Sequence, residues 1–434
     1  MRIVVVGSGF VGLVTGAGFA DFGNEVLCVD IDPEKIAILE RGEIPFYEPG
    51  LQHLVARNVR ERRLRFGTSL AEATVWGEVI FICVGTPSGP KGEADLTYVF
   101  DAAKTIARAM PSYRLVVQKS TVPVGTGEKL QACLKKYAKK RARFDVASNP
   151  EFLREGTAVD NFMRPDRIVI GAESTKAKAM LRDLYRPLYL IETPAIVTDI
   201  RTAELIKYAA NAFLATKISY INEMANLADA LGANVHHVAK AMGLDRRIGS
   251  KFLHPGPGYG GSCLPKDTKA LRHFAGEAGV PMRVVSASIE ANDAQLQVAV
   301  KKIRSVLHGS GKKTVALLGL SFKPETDDMR AAPSLGIVQA LRRRGIVVRV
   351  YDPAVRPTTL GAPKGVVWAE DVYDAARGAD ALAIVTEWNE FRRLDLSKIR
   401  RLMRRRAIVD LRNVYDPPAV TRLGFEYVSV GRPA

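Results

Sequence analysis

The chain has 434 residues, of which 47% are hydrophobic and 25% charged. That length and balance exclude disorder, a collagen-like fibre and a disulfide-stapled miniprotein, and they admit two large domains or about three ordinary ones. Lysine and arginine number 63 against 46 acidic residues, a formal net charge of +17 concentrated toward the last third; an anionic partner is implied, and ligand phosphates, nucleic acid or an anionic surface all qualify.

Residues 1–20 carry one arginine and are otherwise almost wholly apolar, as in a signal peptide. Gly7, Gly9, Gly12, Gly16 and Gly18 weaken the helix such a peptide needs, so a strand and a helix are expected instead. Arg2–Val6 (R-I-V-V-V) and Glu25–Val29 (E-V-L-C-V) are predicted as buried strands, with others at 79–84, 115–118, 144–147 and 167–170. Continuous β-branched runs separated by helical patterns imply a parallel, doubly wound sheet. Residues 198–231 form a helical pattern free of proline and glycine, stopped by Gly232. A helix that long serves as a spine or a subunit interface. A second helical pattern covers 282–307. Strands follow at 314–318, at 346–351 ending in Asp352, at 381–385 and at 407–409, forming a second α/β domain that echoes the first. No transmembrane run is present in the pattern. The predicted architecture is α/β, with two Rossmann-like doubly wound domains joined by a long central helix.

Gly7-Ser8-Gly9-Phe10-Val11-Gly12 follows the first strand and opens a helix. Its glycines suit a tight turn, close approach to a pyrophosphate and close helix–strand packing. The helix N-terminus offers amide donors and a partial positive charge. Asp30 closes the second strand where an acid binds a ribose 2′-hydroxyl, and its charge would repel a 2′-phosphate, which favours NAD over NADP. Alternatively Asp30 is the N-cap of a helix at Pro33–Glu40. Val84-Gly85-Thr86-Pro87 and Gln118-Lys119-Ser120-Thr121-Val122-Pro123 lie at the carboxyl ends of later strands, where α/β sheets bind ligands. Ordinary turn chemistry explains each equally well.

The four cysteines are widely spaced and form no C-x-x-C or Cys/His ligand pattern, so no metal site is expected and a reducing compartment fits. Cys28 and Cys83 fall inside predicted strands, as inert packing. Cys133 lies in a helical stretch. Cys263, in G-Y-G-G-S-C-L-P-K-D, precedes a predicted helix with Pro265 in its first turn; the helix terminus and Lys266 favour a thiolate nucleophile. A buried small hydrophobe is the other reading of that thiol. Asp267 lies one turn on. Lys207 and Asn211, four apart on the long helix, can stabilise a developing oxyanion or simply form a solvated face. In S-N-P-E-F-L-R-E-G, Glu151 and Glu155 suit either acid–base work or helix capping.

Taken together, G-S-G-F-V-G, F-I-C-V-G-T-P, K-S-T-V-P-V-G-T, S-N-P-E-F-L-R-E-G, A-E-L-I-K-Y-A-A-N-A-F, R-R-I-G-S-K-F-L, G-Y-G-G-S-C-L-P-K-D and G-L-S-F-K-P-E-T-D-D-M-R resemble the nucleotide-sugar 6-dehydrogenases, nearly end to end. R-R-I-G-S-K-F-L and A-N-A-F favour the UDP-glucose members; S-C-L-P-K-D also resembles the GDP-mannose members, and other UDP-sugars stay open. The resemblance implies an NAD-binding domain over 1–197, a central helical dimerisation domain over 198–300 and a UDP-sugar-binding domain over 301–434. It implies a cytoplasmic homodimer using NAD on UDP-glucose, within nucleotide-sugar metabolism and polysaccharide biosynthesis, with no metal, nucleic-acid or membrane partner. It further implies a four-electron oxidation at C6, through an aldehyde, a cysteine thiohemiacetal and a thioester, to UDP-glucuronate. By that resemblance Cys263 is the nucleophile. Lys207 and Asn211 stabilise oxygen charge, Asp267 handles protons with Lys207 through water, Thr121 positions that water, and Glu151 assists hydrolysis. Gly7, Gly9, Val11, Gly12, Asp30, Lys35, Thr86, Thr121, Glu155, Lys266 and Arg330 resemble cofactor contacts. Glu151, Phe152, Leu153, Lys207, Asn211, Phe252, Leu253, His254, Pro255, Gly256, Gly260 and Lys323 resemble substrate contacts, and Arg247 resembles an arginine that reaches a neighbouring subunit's site. Two other readings are a two-electron β-hydroxyacid-type dehydrogenase, which does not need Cys263, and a silent NAD module binding nucleic acid through Arg400, Arg401, Arg404, Arg405 and Arg406. That arginine run otherwise reads as a solvated helix face.

Overall fold

The computed structural model describes residues 1–433. It divides into two compact units, Met1–Ala210 with His273–Val280, and Asn211–Arg272 with the chain from Pro281 onward. The division falls inside the helix Ile200–Leu231, which is continuous for 32 residues. That helix starts where the Asp199 carboxylate accepts the Thr202 N–H at 2.8 Å and ends at Gly232 with φ +69°. No helix among the described residues is long and apolar enough to cross a membrane.

The first unit is built on an eight-stranded sheet: β1 (Arg2–Val6), β2 (Glu25–Val29), β3 (Leu64–Gly67), β4 (Val79–Ile82), β5 (Arg114–Gln118), β6 (Phe144–Ser148), β7 (Ile168–Ala172) and β8 (Ala195–Thr198). Their order is β3-β2-β1-β4-β5-β6-β7-β8. The apolar strands are buried on both faces: Ile3, Val5 and Phe81 point into one core, Val4, Val6, Ile80 and Ile82 into the other. The signal-peptide-like segment is β1 plus the helix Phe10–Asp21, which is buried from Gly12 to Ala20. Phe19 on that helix meets Phe81, Phe162 and Tyr185 at ring distances of 5.1, 5.2 and 5.3 Å.

The expected all-parallel sheet is corrected at one ladder. β6 and β7 pair antiparallel, over Ala147↔Ala172 and Ser148↔Gly171. A parallel pairing needs a crossover that carries the chain back to the opposite edge. Here residues 149–167 leave the carboxyl end of β6, the edge where α/β folds place ligands, and return without a crossover, with Ala158 and Phe162 packed into the core. The Glu151–Glu155 segment starts at that edge because it follows the end of β6 directly.

The second unit holds β9 (Thr314–Leu318), β10 (Val347–Tyr351), β11 (Val367–Trp368), β12 (Ala381–Ile384), β13 (Ala407–Asp410) and β14 (Glu426–Ser429), all parallel, in the order β11-β10-β9-β12-β13-β14. Numbered within its own unit that order is 3-2-1-4-5-6, the same as the first six strands of the other sheet. The echo extends to the turn: Gly7 (φ +93°) follows β1 and Gly319 (φ +92°) follows β9. It stops at the acid. Asp352 is 1% exposed and accepts the Leu320 and Ser321 amides on one oxygen and the Ala354 and Val355 amides on the other. Its lone pairs are spent inside the protein, so it cannot also hold a ribose.

Candidate active site

In the first unit the dinucleotide cradle has the expected form. Gly7 places its turn directly against the Cys83 carbonyl, where an added Cβ would sit 3.0 Å from the oxygen. A Cβ on Gly12 would overlap the Gly7 carbonyl oxygen, whereas Gly9 faces open space. Gly9 caps the helix Phe10–Asp21 with no side-chain hydrogen bond, which leaves the N-terminal amides to a ligand. Val11 is half-buried on that first turn. The Ser8 hydroxyl is fully buried without a partner. Gly85 beside Thr86 likewise faces open space. Asp30 accepts the Ser8 amide at 2.7 Å and the Lys35 ammonium at 3.1 Å. The alternative reading of Asp30 as the cap of Pro33–Glu40 is overturned, because Asp32 does that work through the Glu34 and Lys35 amides. The cradle therefore fits a dinucleotide such as NAD, with Gly7–Gly12 where its pyrophosphate would lie and Asp30 and Lys35 where its adenosine ribose would lie.

Thr86 donates from its hydroxyl to the Thr121 carbonyl at 2.9 Å, and the Ser120 hydroxyl donates to the Val84 carbonyl at 2.7 Å. These bonds tie the two loops at the carboxyl ends of β4 and β5 together. Lys119, 4% exposed, donates to the Asn149 side chain at 3.0 Å, and the Tyr185 hydroxyl donates to the same oxygen at 2.6 Å. Glu151 is buried against Lys207, with Nζ 3.0 Å from its carboxylate and 2.7 Å from its carbonyl oxygen. Burial pushes the Glu151 carboxyl up, and the Lys207 ammonium outweighs it, so the group stays below the ordinary glutamate value. Its other oxygen accepts the Leu153 amide. The Phe152 ring lies under the Arg167 guanidinium at 3.6 Å and within 5.2 Å of the Lys207 ammonium.

The helix-capping reading of Glu151 and Glu155 is also overturned. Residues 151–154 carry no regular structure, and Glu155, half-buried, lies in a turn. The amides of Gly156 and Ala158 at the start of the following helix go to Glu48, at 2.5 and 2.7 Å. Glu48 is a buried acid from over a hundred residues earlier, and no local pattern marks it.

In the second unit Cys263 is half-buried and sits at the N-cap of the helix Leu264–Glu277, where its carbonyl accepts the Asp267 amide at 2.8 Å. The Ser262 hydroxyl lies 3.5 Å from its sulfur. Asp267 is 1% exposed and divides its oxygens: Asn211 Nδ2 donates to one at 2.6 Å and Lys266 Nζ to the other at 2.6 Å. The Lys266 charge is thus committed to a carboxylate. Among the other thiols, burial pushes Cys83 up to about 12 and Cys28 higher still, and burial likewise raises Cys133.

The glycine loop before Cys263 is held closely. The Gly256 amide donates to Asn222 and its carbonyl accepts from Gln295, both at 2.8 Å. The Tyr259 amide donates to Asn292 at 2.7 Å. A Cβ on Gly260 would lie 2.5 Å from the Ala331 carbonyl, and the Gly261 amide donates to the Arg330 carbonyl at 2.9 Å. Phe252 takes a left-handed φ of +64°, Leu253 is buried, His254 is exposed and Pro255 half-buried. Lys323 lies 5.7 Å from the Phe322 ring, and the Arg330 side chain pairs with Asp328 at 2.8 Å. Arg412 was not anticipated. It donates to the carbonyls of Val385 and Phe322 and lies 2.9 Å from where a Cβ on Gly256 would stand. Its signal is an arginine two residues past a strand-ending aspartate, in D-L-R-N. Arg247 stands on the surface, 89% exposed along its side chain, paired only with nearby Asp245 among the described ion pairs.

Comparison with known proteins bears on both units. Residues 1–189 match the NAD binding domain of the UDP-glucose/GDP-mannose dehydrogenase family, 201–294 its central domain and 316–417 its UDP binding domain. A UDP-glucose 6-dehydrogenase of Rhizobium meliloti is 50% identical, covering 100% of both chains. One of Bacillus subtilis is 47% identical, over 100% of this chain and 94% of that one. The structure of a UDP-glucose dehydrogenase from the hyperthermophilic archaeon Pyrobaculum islandicum superimposes with a TM-score of 0.92 at 38% identity, over 100% of this chain and 98% of that one.

Proposed function

Because the chain belongs to the UDP-glucose/GDP-mannose dehydrogenase family and is an NAD-dependent oxidoreductase of it, we propose that it oxidises UDP-glucose at C6 to UDP-glucuronate by four electrons, through covalent attachment to Cys263. The observation that carries the covalent part is the placement of that thiol at the start of a helix, after a loop of closely packed glycines, in a unit that also holds Asn211 and Asp267. NAD, when bound, supplies a hydride acceptor at C6, and two are needed per sugar. The thiol adds to the C6 aldehyde; hydride loss from that adduct leaves a thioester; water cleaves it to the carboxylate and restores the thiol. Asn211 offers an amide donor for the oxygen charge that develops at C6, and the Lys207 ammonium offers a second. Asp267, held by Asn211 and Lys266, takes protons through water, with Lys207 as its partner in that role. Glu151, kept ionised by Lys207, assists hydrolysis. Thr121 positions the water. Glu151–Leu153, Phe252–Gly256, Gly260 and Lys323 take the nucleotide sugar, and Glu155, Lys266 and Arg330 contribute to the cofactor.

We also propose a homodimer through the central helix. Phe213, Tyr220 and Leu227 recur every seventh residue on it and are 64%, 45% and 50% exposed, an apolar row on one face. Arg247, exposed and paired with its neighbour Asp245, then serves the partner's site, as the resemblance implies.

The test is the yield of NADH from a limiting, known quantity of UDP-glucose with excess NAD. Two NADH per sugar is the expected result. One NADH removes the role of Cys263. None, with turnover of GDP-mannose instead, moves the substrate to the other branch of the family. Cys263→Ser is expected to abolish acid formation, and unchanged turnover refutes the covalent route.

A further inference from the structure

One buried acid of the first unit is used by none of these steps. Glu204 lies on the central helix three residues before Lys207 and is 2% exposed. Its two carboxylate oxygens accept the amides of Gly125 and Gly127, each at 2.7 Å. Those amides open the helix Thr126–Tyr137, whose N-cap, Gly125, is left-handed at φ +89° and has no side chain to cap with. Glu204 therefore supplies from another element the cap that the local sequence lacks. The approach is close enough that a Cβ on Gly127 would overlap Ile200 of the central helix. Immediately before the cap runs the segment that carries Thr121. Its near end is tied down by Thr86 and Ser120, and its far end by Glu204. The Glu151–Gly156 segment ends on the same device: Gly156, at φ +79°, begins a pair of amides two apart that a buried Glu48 accepts.

We propose that Glu204 is a positioning residue, which through the Gly125 and Gly127 amides sets the Thr121 segment in register with Lys207 on the same helix. The inference rests on the reading of Thr121 and Lys207 as site residues. Both acceptor oxygens are available only when the carboxyl is ionised; on protonation one becomes a donor facing an amide, and half the clamp is lost. The charged groups around it are Glu128 on the capped helix and Arg201 on its own, bonded to each other at 2.6 and 2.7 Å. Burial is the larger influence and holds the Glu204 carboxyl up at about 7, against the pull of the two amides.

The test compares Glu204→Gln, which keeps one acceptor, and Glu204→Ala with the wild type. The first readout needs no turnover: hydrogen exchange of the peptide spanning 119–128 at pH 6 and pH 8, corrected for intrinsic rates. The wild type is expected to exchange faster at pH 6 than at pH 8, and Glu204→Gln to exchange fast at both. The second is kinetic. In Glu204→Gln kcat is expected to fall about tenfold, with the KM for UDP-glucose within about twofold, and the inflection near pH 7 in the wild-type kcat profile to vanish. Wild-type exchange and kcat in Glu204→Gln overturn the proposal. So does an alanine variant that only melts earlier while its folded fraction keeps both kcat and the inflection. A wild type that does not turn over UDP-glucose defeats the functional reading alone, and the exchange readout still decides the role of Glu204.

Discussion

Asp30 and Asp352 close equivalent strands of two sheets with one topology, and what surrounds each decides what it does. Asp30 meets the Ser8 and Asp32 amides and Lys35, and with fewer partners than Asp352 it keeps capacity for a ligand. Asp30→Ala removes a charge-assisted acceptor, so NAD affinity is expected to fall roughly 10- to 100-fold in a direct binding titration, from about 1.5–3 kcal/mol. Asp352→Asn replaces one acceptor by a donor facing buried amides. It is expected to destabilise the protein by about 1–3 kcal/mol in denaturant unfolding while leaving NAD affinity unchanged. Glu204 adds a pH dependence whose sign follows from its raised value. Its carboxyl titrates near 4.5 when unfolded and at about 7 when folded, so the folded state holds the proton more tightly. Below pH 4.5 both states are protonated and nothing is lost. Between 4.5 and 7 the unfolded carboxyl ionises while the folded one keeps its proton, so stability falls progressively, by about 3 kcal/mol once both are ionised near pH 8. Glu204→Gln is therefore expected to gain unfolding free energy relative to the wild type as pH rises through that window. A difference that stays flat with pH contradicts the shift.

Elements are placed here by what their ends meet. The helix Phe10–Asp21 is apolar on all sides because it packs on the sheet and under the aromatic group around Phe19, and its glycines admit close neighbours. Gly12→Ala forces the Gly7 carbonyl away and opens the turn, so loss of NAD binding is expected in the same titration, with a lower melting temperature. The basic excess has a structural share as well. Arg342, Arg400, Arg401 and Arg422 fall in the last turns of their helices, against exposed carbonyls and the negative end of the dipole. Within the arginine run, Arg404 pairs with Asp380 at 3.3 Å and Arg405 donates to the His308 carbonyl at 2.7 Å. Arg404 and Arg405 are thus engaged within their own fold.

At the scale of the molecule, one topology appears twice and serves two nucleotides: the first unit with an open cradle and an available acid, the second with the acid sealed and a family match to UDP binding. The long helix contributes residues to both units and still leaves an apolar stripe exposed. Phe213→Asp on that stripe is expected to shift the protein from dimer to monomer in light scattering. If Arg247 serves the partner subunit, activity falls with dissociation although every other site residue is intact. A dimer that survives Phe213→Asp places the interface elsewhere.

Much of this was legible in one dimension. Turn glycines, strand-ending acids and β-branched runs act locally, through φ, hydrogen bonds to neighbours and burial of a short segment. So β1, β2, the Gly7–Gly12 turn and the stop at Gly232 were readable from their residues alone. The strands at 64–67, 195–198, 367–368 and 426–429 are short and lack the long apolar runs that mark the others in the sequence, and neighbouring ladders make them strands. The capping of Gly156 by Glu48 and of Gly125 by Glu204, and the pairing of Glu151 with Lys207, join residues 56 to 108 positions apart, and the reversal between β6 and β7 joins residues 23 and 25 apart. No spacing rule reaches that far. An acid's role there depends on which amide or ammonium the fold brings to it, and only the tertiary structure decides that.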